Sequence, residues 1–196
     1  MLAGRCDLGV ADPGTASRES QLHHEPLPPH PIHLFARPDH PLAGRAGLRL
    51  ADLLAFPVVG SRVRGATATR LPAEGPAGRV DPDTSDFLPS ITVDSLDLAR
   101  RIAASTAAIL PAVRGMVAAD LRDGRLVQLD FHEPWMQTSY GIFWRSDRTP
   151  PPAVRAFVDE LRAVESELSA ESVKPDSGVS APIPRAKKLA RPSAGA

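Results

Sequence analysis

Residues 91–111 constrain this chain more than any other stretch. Ile91-Thr-Val-Asp-Ser-Leu-Asp-Leu-Ala-Arg-Arg-Ile runs on to Ala107-Ala-Ile-Leu-Pro111. An apolar strand leads into a capped helix, and a second apolar strand closes at proline. Such strand–helix–strand units build open α/β sheets. Ligands in those sheets gather at the carboxyl ends of strands, beside helix N-termini.

The remaining elements follow from local pattern. Leu2-Ala-Gly-Arg-Cys-Asp-Leu-Gly-Val10 reads as a turn and a core strand. It starts abruptly, so preceding elements of the fold are expected to be missing. Ala11 to Pro31 reads as loop, and Ile32-His-Leu-Phe-Ala36 as a strand. Leu48 to Leu54 is a helical turn, and Phe56-Pro-Val-Val-Gly60 a second strand. Ser61 to Leu88, rich in glycine and proline, is the least ordered interior part, with a marginal helix at Val63 to Leu71. Leu96, Ala99, Ile102 and Ala103 share one face of the helix capped by Asp94 or Ser95. A helix follows Pro111 and ends near Arg122. Strands are expected over Arg125 to Phe131 and Ser139 to Trp144. The last helix starts in Thr149-Pro-Pro-Pro152 and carries the stripe Val154, Phe157, Val158, Leu161, Val164, Leu168. From Ser169 the composition turns to serine, proline, alanine and glycine. This predicts a disordered tail, with a small basic cluster at Arg185, Lys187, Lys188 and Arg191.

Composition narrows the function. The chain has 196 residues, 42% hydrophobic and 23% charged, with a formal net charge of zero. That balance fits a globular domain and does not suggest a basic nucleic-acid-binding face. Cys6 is the sole cysteine, which excludes an internal disulfide and a zinc site of several thiolates. No leader-like segment and no apolar run of membrane-spanning length stand out, so a cytoplasmic protein without membrane contact is expected.

Taken together these pieces resemble the effector-binding domain of LysR-type transcriptional regulators. The strand ending in Asp7-Leu-Gly-Val10 resembles the family's first-lobe strand. Ile32-His-Leu-Phe-Ala-Arg-Pro-Asp-His-Pro-Leu-Ala43 resembles the crossing into the second lobe, and its Asp39-His-Pro-Leu-Ala43 run is the most specific match. Val93-Asp-Ser95, Ile109-Leu-Pro111, Asp123-Gly-Arg-Leu-Val127 and Pro151-Pro-Ala-Val-Arg-Ala-Phe157 resemble later motifs in order.

The resemblance implies an α/β, periplasmic-binding-protein-like (type II) domain of two lobes, with the first lobe incomplete. Lobe I would comprise residues 1–36 and 140–168, lobe II residues 37–139, and 169–196 the tail. It implies a small-molecule effector in the cleft between lobes. DNA would be reached only through an N-terminal domain missing from this chain, and homo-oligomers would form. The family's glycine-rich turn before Leu-Pro reads here as Ala104-Ser-Thr-Ala-Ala108, so Ser105 and Ala107 are expected to tighten the pocket.

The candidate effector-binding residues are Asp94, Ser95, Leu96, Thr106, Ser61, Arg62 and Asp12. Unpaired amides at the start of the Asp94 helix favour a carboxylate or phosphate. Thr106 supplies a hydroxyl from the matching turn. Ser61 and Arg62 follow a core strand, and Arg62 or Arg64 can pair bidentately with a carboxylate. Asp12 follows the first strand. His23, His24, His30, His33 and His40 lack the thiolates or paired carboxylates of a metal set, so no metal and no cofactor is expected. No nucleophile elbow, phosphate loop or zinc-protease motif nominates an enzyme. The alternatives are a transporter's solute-binding protein, which needs an export signal, and a non-functional gene fragment.

Overall fold

A computed structural model describes residues 6–13, 21–147 and 149–172. The expected turn at Leu2 to Arg5 and the basic cluster of the tail lie outside these residues.

Two sheet-centred regions are joined by a two-stranded crossing. In the first region β1 (Leu8–Ala11) and β2 (Leu22–Pro26) flank β13 (Gly141–Arg145), both antiparallel to it. One face packs under the final helix, α5 (Pro152–Ser172), through Leu27, Ile142, Val158, Leu8, Trp144, Val154 and Leu161. Arg162 clamps Glu25 of β2 with both nitrogens of its fork, at 2.8 and 2.6 Å. The helix continues four residues past the expected end at Leu168, to Ser172.

The crossing pairs β3 (His30–Pro31) with β12 (Gln137–Thr138). Flanking bonds extend it, Leu27 N–H to the Tyr140 carbonyl at 2.9 Å and Ile32 N–H to that of Met136 at 2.8 Å. His30 Nε2 also meets Glu165 of α5 at 2.8 Å, with both side chains only 12–13% exposed.

The second region is built on β9 (Ile91–Thr92), β5 (Val59–Gly60), β10 (Leu110–Ala112), β4 (His33–Ala36) and β11 (Val127–Gln128). β5 runs parallel to β9, and a parallel bridge from Val58 to Ile109 ties that pair to β10. β4 is antiparallel to both β10 and β11. Its alternation feeds two cores. Leu34 and Ala36 join Leu42, Leu48, Leu53, Ile109 and Leu129 on one face. Phe35 joins Val59, Ala99, Ala103, Leu110 and Leu126 on the other, under α3 (Leu96–Ser105).

Several expectations change. His33–Ala36, assigned to lobe I by sequence, is the middle strand of the β10–β4–β11 sheet of the second region, and the crossing lies before it. Residues 11–31 are not all loop: β2 and β3 form there. Their histidines and prolines hide strand character, which comes from pairing with β13 and β12 rather than from side-chain period. Within the irregular stretch 61–88 the marginal helix expected at Val63 to Leu71 forms over four residues, α1 being Leu50–Leu54 and this one α2 (Gly65–Ala68). The stretch also holds β6 (Glu74–Gly75) and β7 (Gly78–Val80), which continue into β8 (Phe87–Pro89) as an antiparallel sheet. Strands of two or three residues carry no readable period. After Pro111 the expected single helix is a 3₁₀ turn, Arg114–Val117, leading into α4 (Ala118–Arg122).

Candidate functional site

β5, β9, β10 and β11 all point their carboxyl ends to one edge of the second region. β4 runs the other way, so its first residue, His33, sits on that same edge. His33 follows the crossing by one residue, so this edge faces the first region. Val93 N–H donates to the Gly60 carbonyl at 3.0 Å, which sets the chain entering Ser61 beside the chain entering Asp94.

α3 begins at this edge. Ser95 is its N-cap, with Oγ accepting from Leu98 N–H at a long 3.4 Å. Asp94 makes no cap, and both Asp94 and Ser95 are exposed while Leu96 is half-buried. Asp97 is held by Arg100 at 2.7 Å. Ser61, Asp94, Ser95 and Leu96 are therefore brought together at the start of the helix.

The other candidates separate from this group. Thr106 lies at the far end of α3, about 15 Å away for ten residues of helix. Its hydroxyl donates to the Ile102 carbonyl at 2.8 Å and accepts from Ala108 N–H at 3.1 Å, so it closes the helix. The turn expected to tighten the pocket thus lies on the opposite edge. There Ser105 bonds back to Arg101 at 2.8 Å, and the Ala107 carbonyl meets His40 Nε2 at 3.3 Å. Arg62 turns toward Asp86, at 3.4 Å, a carboxylate it shares with Arg64 at 3.6 Å. Asp12 is the lobe-I candidate. It follows Ala11, which pairs with Gly141, so it emerges next to the crossing rather than at α3.

The structure adds side chains that sequence reasoning passed over. Arg114, Gln128, His33 and His132 gather on the carboxyl edge from three separate segments. Arg114 Nη1 donates to Gln128 Oε1 at 2.7 Å, and Gln128 Nε2 lies 3.3 Å from His33 Nδ1. The His33 and His132 rings stand 6.1 Å apart, inclined at 29°. Burial, then the charges of His132 and Arg114, hold His33 below the ordinary histidine range. No spacing in the sequence links these positions.

The other histidines have structural partners. His40 is 3% exposed and bonded at both ring nitrogens. His23 lies tilted against Trp144, and His24 stacks on Phe143. Among the described residues no three His, Cys, Asp or Glu side chains are grouped as a metal site.

Residues 1–166 match the family described as the LysR substrate binding domain. The chain belongs to this family. A curated relative, the SDS degradation transcriptional activation protein of Pseudomonas sp. (strain ATCC 19151), is 30% identical over 161 residues. That alignment covers 80% of this chain and 50% of the relative, so the chain spans about half the relative's length. Solved LysR-type structures share the fold. HinK of Pseudomonas aeruginosa superposes with a TM-score of 0.64 at 21% identity, covering 85% of this chain and 55% of that one. The effector domain of AmpR, from the same species, gives 0.60 at 19%, covering 88% and 79%. The CcmR regulatory domain of Synechocystis PCC6803, solved in complex with 2-PG, gives 0.59 at 18%, covering 86% and 77%. This LysR substrate-binding domain therefore has the periplasmic-binding-protein-like type II fold of its structural neighbours. No helix among its described residues is long and apolar enough to cross a membrane.

Proposed function

We propose that this LysR domain binds a small carboxylate-bearing effector on the carboxyl edge of its second region. Closure of the first region over the effector then changes how a transcriptional regulator engages DNA. The observation that carries this reading is the meeting of the β5 and β9 carboxyl ends with the start of α3, on the edge that faces the crossing. Helix-start amides are oriented donors, and the helix dipole favours an anion there. Ser61, Ser95 and the amides after Asp94 contact the ligand. Asp12 approaches from the first region, whose motion about two short paired strands opens and shuts the cleft. Arg62 supplies a guanidinium only by leaving Asp86. The role is binding, not catalysis. DNA is read by a part of the regulator other than the residues described here, and the regulator works as a homo-oligomer.

Calorimetry of the purified chain against a panel of small organic acids tests the reading. One or more acids should bind, and Ser95→Pro should weaken binding at least tenfold, because proline at the cap removes the serine hydroxyl and its own amide. Arg62→Ala should have little effect if Asp86 keeps that side chain, and a large one if ligand recruits it. An acid that binds equally well to wild type and Ser95→Pro places the site elsewhere.

A further inference from the structure

The final helix begins over a hollow in the first region. β13 ends at Arg145, and α5 starts at Pro152. Trp144 of β13, Pro150 of the connection, and Val154 and Val158 of α5 line a pocket of about 270 Å³. Pockets for drug-sized ligands run to about 300–1,000 Å³, so this one takes a smaller body. Its place follows from the topology. Gly141, at the start of β13, adjoins the crossing, and Trp144 lies three residues further along the strand, about 10 Å away. Glu165 of α5 meets His30 of the crossing, and Val154 lies eleven residues before it, about 16 Å along the helix axis. Both measures put the pocket at the end of the first region away from the crossing, and so away from the start of α3.

The walls are apolar, yet two donors stand open on them. The Trp144 ring is half-buried and tilted against His23, with centroids 4.1 Å apart. Its indole N–H has no hydrogen-bond partner among the described residues, although a buried tryptophan ordinarily finds one. Arg155, on the first turn of α5, also lines the pocket and is exposed. Its guanidinium meets no carboxylate among the described residues. The charges beside it are already matched. Arg162 holds Glu25 with two nitrogens, and its Nη1 donates to Asp159 Oδ1 at 2.9 Å. Asp159, on the rim, is therefore turned to Arg162, and Arg155 is left as the uncompensated cation of the lining. The positive end of the α5 dipole adds to it. A neutral apolar molecule would leave the guanidinium unanswered, and a bare inorganic anion would leave the walls unfilled.

We propose that this pocket is a second ligand site, for a small acid with an aromatic or short aliphatic body. The body packs among Trp144, Pro150, Val154 and Val158. The carboxylate takes the Arg155 fork and the indole N–H. The site is separate from the effector edge, and neither needs the other.

The probes are benzoate and hexanoate, with benzyl alcohol as the uncharged control. The chain has two tryptophans, Trp135 and Trp144, so Trp135→Phe leaves Trp144 as the sole indole reporter. In that variant either acid should change the fluorescence saturably at millimolar concentration or below. In wild type the proton NMR spectrum should show one of two indole N–H resonances moving, the one that Trp135→Phe retains. Benzyl alcohol should bind at least tenfold more weakly than benzoate, because it leaves the guanidinium without a counter-charge. Tighter benzoate than hexanoate marks the natural body as aromatic, and the reverse order marks it as aliphatic. Arg155→Gln should weaken both acids at least tenfold. That side chain is exposed, so the variant should fold, which circular dichroism checks. The Ser95→Pro variant separates the two sites. If it loses acids from the effector edge while the Trp144 signal persists, both readings stand. If it abolishes benzoate binding and Arg155→Gln does not, the acid sits on the carboxyl edge, and the pocket proposal fails while the effector reading stands. An indole signal that neither acid moves, or acid binding at Trp144 that keeps full affinity in Arg155→Gln, overturns the proposal.

Discussion

His40 offers a sharp test of how the second region is held together. Its ring is 3% exposed and lies against Phe56, with centroids 4.5 Å apart. Nδ1 accepts from Leu42 N–H at 3.1 Å, and Nε2 meets the Ala107 carbonyl at 3.3 Å. The neutral ring satisfies both bonds, so a second proton would break the first. His40→Ala leaves the Leu42 amide without its acceptor beside a buried side chain, costing about 1–3 kcal/mol. The lost bond to Ala107 adds about 0.5–1 kcal/mol, and the cavity about 1 more, for a total of about 2.5–5 kcal/mol. His40→Asn places an oxygen where Nδ1 was, keeps the Leu42 bond, and should cost about half as much.

The pH dependence carries the second half of the test. Burial, the largest influence, holds His40 below its ordinary range, with Arg37 pushing the same way against the Ala107 bond and Asp39. The unfolded chain therefore binds a proton at His40 that the folded chain refuses. This histidine's contribution is fully present above the unfolded value of about 6.5, and is lost as pH falls from there toward the folded value. Replacing it removes that loss, so the gap between wild type and His40→Asn should narrow on acidification. His33 has a similar lowering in both proteins and cancels in the difference. Urea unfolding followed by circular dichroism from about pH 8 to about pH 5 measures the gap. An Asn variant as damaged as Ala, or a gap that does not narrow, refutes the two-bond neutral-ring account.

Three further outcomes follow from packing and charge. Gly78→Ala should destabilise the β6–β7–β8 sheet by about 3 kcal/mol, because the new Cβ would lie 2.2 Å from the Leu88 carbonyl oxygen at a backbone φ of +148°; thermal melts check this, and a neutral effect refutes the close approach. Asp120 is 5% exposed and receives Arg125 Nε at 2.7 Å, with Arg100 Nε a poorly aligned 3.2 Å away. Asp120→Ala should cost about 2 kcal/mol in urea unfolding, below the range for fully buried pairs because both arginines reach water. Glu165→Gln should loosen the crossing at His30 and raise amide exchange in β3 and β12, while an unchanged exchange pattern would show that the 2.8 Å pair does not hold it.

The strand–helix–strand unit at 91–111 was readable because its apolar positions change period from two to 3.6 and back, with a serine at the turn. The final helix was readable from its prolines and its stripe. The start of α3, with its serine cap, was legible for the same local reason. Arg62 and Thr106 were plausible by residue type, yet each meets a partner away from the start of α3, Asp86 for one and the Ile102 carbonyl for the other. Those partners are set by where side chains fall in space.

Local pattern by itself determined the α/β class, the helix that opens at Ser95, and the family to which residues 1–166 belong. Tertiary structure alone decided that His33–Ala36 is the middle strand of the β10–β4–β11 sheet, that β2 and β3 exist, and which edge each candidate occupies. It also assembled Arg114, Gln128, His33 and His132 from positions as far apart as 33 and 132. The physical reason is that helix caps and apolar period are encoded within a few residues. Strand pairing and polar clusters depend on partners distant in sequence, whose meeting is selected by burial of the whole sheet.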